Sequence, residues 1–324
     1  MKRILVTGGA GFIGSNFVRL LLEERENIHV VNLDKLTYAG NLSTLADVLD
    51  HPRHTFVKGD IADGPLVEEI FLEGIDAVVN FAAESHVDRS IDNPGVFIRT
   101  NILGVQVLLE AARRHNTSKF VQISTDEVYG ELGPTGFFTE DTPLAPSSPY
   151  SASKTSADLL VQAWHHTYGL NVNITRCSNN YGPYQFPEKL IPVMIGRALE
   201  NETLPVYGDG SNVRDWIHVE DHNWAALHVL ERGQSGRVYN IGSSHERNNL
   251  QVVQTVLDHL GKPHSLIRFV KDRPGHDWRY AIDASRIRNE LNWIPKYSFE
   301  DGLRQTIQWY VDNQGWWKSL LEVE

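Results

Sequence analysis

Cysteine is nearly absent from this chain: Cys177 is the only one among 324 residues. An intramolecular disulfide is therefore excluded, and a structural thiolate metal site has no support. Also missing is any block of lysine and arginine. The formal net charge is -11, which disfavours nucleic acid and anionic membranes as partners, because both reward clustered positive charge. The opening Met1-Lys2-Arg3-Ile4-Leu5-Val6 has an apolar run too short for a signal peptide or a membrane span. Sequons such as Asn173-Ile174-Thr175 and Asn201-Glu202-Thr203 are then chance matches, and the expected compartment is the cytoplasm. No repeat or low-complexity tract interrupts the chain. Among the 14 histidines no pair shows a recognised ligand spacing, so no metal is expected.

What is present is an ordinary globular composition, 41% hydrophobic, with enough chain for a large core in one or two domains. In the first half, short apolar runs alternate with helical patterns. Ile4–Thr7, Ile28–Leu33, Thr55–Val57, Ala77–Phe81, Phe120–Ser124 and Asn173–Arg176 read as strands, and Ser15–Glu24, Asn101–His115 and Tyr150–Tyr168 as helices. Runs such as Ala77-Val78-Val79-Asn80-Phe81 are almost continuously apolar, as strands buried on both faces should be. The alternation predicts an α/β fold: a Rossmann-type, doubly wound parallel sheet with right-handed crossovers. From about Asn179 the rhythm changes to Pro- and Gly-rich loops with one amphipathic segment, Ile191–Glu200. The expected division is a dinucleotide domain over 1–177 with 212–242 interleaved. A smaller C-terminal α/β lobe over 178–211 and 243–324 would bind substrate.

Thr7-Gly8-Gly9-Ala10-Gly11-Phe12-Ile13-Gly14 follows the first strand and opens the first helix. Gly8 permits the tight turn, Gly11 lets the backbone approach a pyrophosphate, and Gly14 lets helix and strand pack closely. The helix N-terminus offers N–H groups and positive potential to phosphates. Asp34 closes the second strand about 20 residues on, where a ribose diol would bind. A carboxylate there favours NAD over NADP, with Lys35 as the dissenting neighbour. Asp60-Ile61, after the third strand, is placed to border the adenine.

Tyr150-Ser151-Ala152-Ser153-Lys154 follows a breaker-rich helix entry, Pro146-Ser147-Ser148-Pro149. Positions i and i+4 share a helical face, so the phenol and the ammonium project together. The ammonium is expected to favour the phenolate of a tyrosine that would otherwise be a poor base. By itself Tyr-x-x-x-Lys is common on solvated helices. Joined to the glycine loop and to Ser124-Thr125 after the fifth strand, it becomes specific. Asp126-Glu127 then puts two carboxylates at the carboxyl end of a buried strand, the edge where open α/β sheets bind ligands. Paired carboxylates whose surroundings separate their pKa values can serve as acid and base.

With these motifs the chain resembles the extended short-chain dehydrogenase/reductase family over nearly its whole length. Within it, the segment Ser124–Gly130 is similar to that of the dTDP-glucose 4,6-dehydratases. The same holds for Ala82–Ser90, Asn179–Gln185, Pro187–Leu190 and Asp272–Asp277. The resemblance implies an NAD-dependent hydro-lyase that turns dTDP-glucose into a 4-keto-6-deoxy sugar nucleotide. Tyr150, Lys154 and Thr125 would serve the redox step, with Glu127 as the base at carbon 5 and Asp126 as the acid toward the 6-hydroxyl. It further implies that Leu36, Thr37, Ala82, Ala83, Ser85, Thr100 and Asn180 lie on the cofactor side with the glycine loop. Ser85, His86, Thr125 and Asn179 would meet the sugar and phosphates. Lys189, Leu190, Pro205, Val206, Tyr207, Arg214, Asn249, Asp272, Arg273, His276 and Asp277 would hold the nucleotide. A planar guanidinium at Arg214 suits a diphosphate, against the plainer reading of a salt bridge to Asp215 or Glu220. Family members are often homodimers that pair two helices per subunit, here those around Asn101–His115 and Tyr150–Tyr168.

Two other functions stay open on the residues. A sugar-nucleotide 4-epimerase or decarboxylase needs the Tyr–Lys pair but no acid/base couple, so Asp126-Glu127 argues against it. A non-catalytic NAD-sensing regulator would be expected to have lost Tyr150 or Lys154.

Overall fold

The computed structural model describes residues 1–272 and 275–321. The apolar runs form strands buried on both faces. These are β1 (Arg3–Thr7), β2 (His29–Asp34), β3 (His54–Lys58), β4 (Ala77–Asn80), β5 (Lys119–Thr125) and β6 (Val172–Cys177). The shorter β7 (Asn179–Tyr181), β8 (Leu204–Tyr207), β9 (Val213–His218), β10 (Val238–Ile241), β11 (Glu246–Asn248) and β12 (Ile267–Val270) follow. Seven strands make one parallel sheet in the order β10-β6-β5-β4-β1-β2-β3. This is the doubly wound Rossmann-type sheet expected from the alternation. Strand order reverses between β1 and β4, which opens a crevice at the carboxyl edge there.

Alternation along each strand feeds two cores. Ile4, Val6, Val30, Val79 and Val121 face one side, packed under the helices Phe12–Glu24 and Val219–Arg232. Leu5, Val31, Val78 and Phe120 face the other, against the helices Gly64–Leu72, Val105–Arg114 and Pro149–Tyr168. A third core joins Ile191, Met194, Leu204, Val252, Val256, Leu303 and Trp317. Around it β11-β9-β7 and β12-β8 form two small sheets. The chain passes between the units: β9 belongs to a small sheet, β10 to the large one, and the helix Ser285–Leu291 packs back on β10.

Two elements differ from the sequence reading. The helix read from Asn101 extends back to Pro94, where a proline in the first turn forgoes no hydrogen bond. Its residues Ile98–Gly104 are wound in wider π turns. By length and composition Pro94–Arg114 would suffice to cross a membrane, but Phe97, Val105, Leu108 and Leu109 are buried in the protein. The Tyr150 helix starts at Pro149 with Ser148 as N-cap, in a capping box with Ser151.

Candidate active site

The carboxyl edge of the large sheet opens into a cleft walled by the glycine loop, the ends of β2 to β6, and the segment Ser178–Lys189. Gly8 turns with φ +69°, and a Cβ there would lie 2.7 Å from the Ala82 nitrogen, so only glycine fits. At Gly14 a Cβ would lie 2.3 Å from the Gly8 carbonyl oxygen, which locks helix against strand. The helix Phe12–Glu24 opens with no side-chain cap. Its first N–H groups therefore lack intrahelical partners where Gly11, Phe12, Ile13 and Gly14 wall the cleft. This cradle fits a pyrophosphate.

Asp34 is buried at the end of β2. Its two oxygens accept the N–H of Ala10 (2.9 Å) and of Leu36 (2.8 Å), and each keeps a lone pair for a further donor. Burial raises its pKa, opposed by those two N–H groups. Lys35, the dissenting neighbour, bonds Asp60 at 3.0 Å, and Arg99 lies 3.3 Å from the same carboxylate. Its charge is thus largely answered before a second phosphate could use it. The site accordingly suits a ribose diol over a ribose phosphate.

Three cleft-wall segments are tied to one another. Arg89 stacks 3.8 Å over the Tyr38 ring and lies 3.5 Å from Glu188. Tyr38 meets Phe186 edge to face at 5.7 Å, and Lys189 donates to the Ser85 carbonyl at 3.1 Å. A strap thus joins the loop after β2, the helix after β4 and the loop after β7.

The reactive side chains meet at the end of β5. Register sets Thr125 opposite Cys177 of β6, and Thr125, Asp126, Glu127, Tyr150 and Lys154 all wall the cleft. Lys154 donates to the Ile123 carbonyl at 2.7 Å. The Thr125 hydroxyl donates to Asp126 at 3.3 Å and accepts from the Glu127 N–H at 3.2 Å. Burial first, then Glu127 and Asp215, push the Asp126 carboxyl well above the ordinary carboxylate range, which favours its protonated form. The phenolate expectation needs correcting. Burial, then Glu127 and Cys177, hold Tyr150 as a phenol, with the Thr125 hydroxyl pulling the other way. The Lys154 amine is itself lowered by burial and is spent on a carbonyl, so its help to the phenolate is offset.

A family model described as GDP-mannose 4,6 dehydratase matches residues 5–306. The dTDP-glucose 4,6-dehydratase of Xanthomonas campestris is 56% identical over 99% of this chain and 97% of its own length. The chain belongs to the dTDP-glucose 4,6-dehydratase family. The crystal structure of the Bacillus anthracis dTDP-glucose 4,6-dehydratase, in complex with NAD, is similar with a TM-score of 0.93. It is 53% identical over 99% of this chain and 100% of that one. A UDP-glucose 4-epimerase of Thermotoga maritima shares the fold at a TM-score of 0.90. It is only 30% identical over 96% of this chain and 99% of that one, so fold alone does not separate the two activities.

Against this dTDP-glucose 4,6-dehydratase family frame the remaining residues can be placed. Thr37, Ile61, Ala82, Ala83, Ser85, Thr100, Asn179, Asn180 and Lys189 wall the same cleft. Leu36 instead packs against the core, and Leu190 joins the C-terminal core. His86 caps the helix Val87–Asp92 beside Glu188. Arg214 donates to the Asp277 and Trp278 carbonyls at 2.8 and 3.2 Å and stacks 4.3 Å from Tyr280. Asp277 accepts from Ser147 at 2.5 Å, and burial first, then Glu127, raises the Tyr280 pKa. This group therefore stands beside the acid/base pair. Farther out, Asp272 bonds His276 at 2.7 Å and Tyr207 meets His276 edge to face at 6.3 Å. On the same strand, Pro205 precedes Val206, whose side chain is buried in the C-terminal core. Asn249 opens a helix, its N–H bonded to the Asn212 carbonyl at 3.0 Å. Arg273 lies outside the described residues.

Sequence reasoning missed Asn101 and Tyr280. The Asn101 amide donates to Ser153 (2.8 Å) and to the Glu84 carbonyl (3.0 Å), while its oxygen accepts from the Glu84 N–H (2.9 Å). It braces the Ala82–Ser85 segment against the Tyr150 helix, and the π turn sets it there. An asparagine in the apolar run Ile98–Leu109 was the available signal.

Proposed function

We propose that this protein converts dTDP-glucose to dTDP-4-keto-6-deoxyglucose and water, with NAD held in the cleft. The observation that carries the reading is Asp126-Glu127: a buried carboxyl and a second carboxylate side by side in the cleft wall, at the end of the strand that also delivers Thr125. An epimerase has no use for that couple. NAD, held by the Gly8–Gly14 loop and Asp34, supplies a hydride acceptor at carbon 4 and a donor at carbon 6. Tyr150 takes the 4-hydroxyl proton as a phenolate, so its own proton must leave first, helped by the Thr125 hydroxyl and by the positive charge an oxidised nicotinamide would bring, while Lys154 ties its helix to the Ile123 carbonyl. The resulting ketone acidifies carbon 5. Glu127 takes that proton, Asp126 gives its own to the departing 6-hydroxyl, and Glu127 hands its proton back to carbon 5 as carbon 6 is reduced. Arg214, stacked on Tyr280 and bonded to the Asp277 and Trp278 carbonyls, would hold the diphosphate.

The reading extends to assembly and place. Val96, Ile98 and Leu103 on one helix and Leu159 on the next are exposed apolar side chains, which supports a homodimer joined through those helices. Light scattering should give twice the 36.6 kDa chain mass, and a monomer would refute it. The compartment assigned is the cytoplasm.

The functional test is direct. Purified protein is incubated with dTDP-glucose, and strong alkali is added to reveal the near-ultraviolet absorbance of a 4-keto-6-deoxy sugar. Bound dTDP-glucose without that product overturns the reading. Parallel runs with UDP- and CDP-glucose measure the base preference.

A further inference from the structure

One buried carboxylate near the reacting edge has no role in the steps above. Asp215 lies on β9, 1% exposed. Asn179 stands opposite Trp216, so Asp215 is level with Ser178. That residue directly follows Cys177, the partner of Thr125 across β5 and β6. The small sheet thus delivers a second-lobe carboxylate next to the Thr125–Asp126 turn.

The two aspartates differ in their donors. Asp215 Oδ1 accepts the His245 N–H at 2.6 Å; the Ser243 hydroxyl lies 3.5 Å away but gives its proton to the Trp216 carbonyl at 2.5 Å. Asp126 accepts no N–H among the described residues and meets the Thr125 hydroxyl at 3.3 Å, while the Oδ2 of each aspartate has no hydrogen-bond partner there. Two carboxylates in one low-dielectric region do not both ionise cheaply, and the one given N–H donors keeps the charge. Asp126 is also faced by Glu127 on its own turn and by Arg214 from β9. Tyr150 from the Pro149–Tyr168 helix and Cys177 from β6, itself near Lys154, complete its surroundings. Burial raises the Asp215 pKa as well, opposed first by the His245 N–H, then by the Ser178 hydroxyl and the Ser244 N–H, and His245 faces it. Arg214 is turned to the Asp277 and Trp278 carbonyls.

We propose that Asp215 is a positioning residue for the elimination: its buried negative charge keeps the proton on Asp126, so that Asp126 enters the reaction as an acid. This rests on Asp126 acting as the acid of the dehydratase, and it adds the source of that acidity.

Infrared difference spectroscopy reads the proton without turnover. The holoenzyme should show the carbonyl band of a protonated carboxylic acid at neutral pH, assigned by its loss in Asp126→Asn. In Asp215→Asn the midpoint for losing that band should fall by about one pH unit or more. The alkaline limb of kcat for dTDP-glucose should move with it, a roughly tenfold loss above the new midpoint. Asp215→Glu, which keeps the charge, should restore both. Absence of an Asp126 band in the wild type overturns the proposal, whatever the folding of the variants. So does an unmoved band and limb in Asp215→Asn, or a shift in Asp215→Glu as large as in Asp215→Asn. Wild-type product formation separately decides the dehydratase reading.

Discussion

Release of NAD from the cleft requires the strap at its mouth to part, which makes Arg89 a quantitative test. Its guanidinium stacks on Tyr38 and lies 3.5 Å from Glu188. The arginine side chain is 44% exposed, so the ion pair is screened and contributes about 0.2–1 kcal/mol. The stack adds about 0.5–1 kcal/mol. Arg89→Ala should therefore weaken closure by about 1.4 kcal/mol, a roughly tenfold faster release. Arg89→Lys keeps the charge but loses the planar stack and should fall between. The assay loads the enzyme with labelled NAD, adds excess unlabelled NAD, and follows the bound label over time. Adding Glu188→Gln to Arg89→Ala should cost less than the two changes summed, because they remove one shared contact. A rate within twofold of wild type for Arg89→Ala would refute the strap as a barrier to release.

Four further outcomes follow from the geometry. Glu127→Gln should bind dTDP-glucose normally while its turnover drops by a factor of about 10² or more; near-wild-type product formation would remove Glu127 as the base. Gly14→Ala sets a Cβ 2.3 Å from the Gly8 carbonyl, so it should lose NAD binding in calorimetry and about 1–3 kcal/mol in urea unfolding. Asp158→Ala strands Arg176, the buried partner 2.9 Å away, and should cost about 3–5 kcal/mol by the same measurement. His222 is wholly buried and burial lowers its pKa to about 3, so the fold keeps it neutral while the unfolded chain protonates it below its ordinary value. Its contribution is neutral above that value and increasingly destabilising as pH falls, by about 2 kcal/mol at pH 5. His222→Gln should flatten the fall of the urea midpoint between pH 7 and 5; an unchanged slope would count against this account.

The glycine loop, Asp34 and Tyr150–Lys154 were legible because each is a local pattern in a fixed place relative to a strand or a helix. Buried strands announce themselves as apolar runs, so six strands of the large sheet were legible, while the four-residue β10 was not read as a strand. The charge state of Tyr150 was not: spacing shows that an ammonium is near but says nothing of burial or of the Ile123 carbonyl that engages it. Asn101, Asp215 and Tyr280 were hidden for a related reason. Asn101 and Asp215 have partners 17 to 52 positions away and Tyr280 stacks on Arg214 from a distant strand, and no local period records such contacts. The outer nucleotide segment rests on the family resemblance, since its contacts are set by loops whose course is not encoded in periodicity.

The helix Ser285–Leu291, which returns to β10, bears on how the chain acquires its structure during synthesis. Ala284, Ile287, Leu291 and Trp293 sit in the same core as Ile4 and Phe17. The Trp293 indole donates to the Asp221 carbonyl at 3.1 Å, and the Asp221 carboxylate accepts the N–H groups of Lys296 and Tyr297. One side of the first sheet thus stays unfinished until some 290 residues have left the ribosome. The N-terminal portion is then exposed as a sticky nascent intermediate for most of translation. A stop codon placed after Ile241 would leave every strand of the large sheet but no lid for that core. Such a fragment should aggregate, and a separately supplied peptide spanning 280–297 should rescue its solubility.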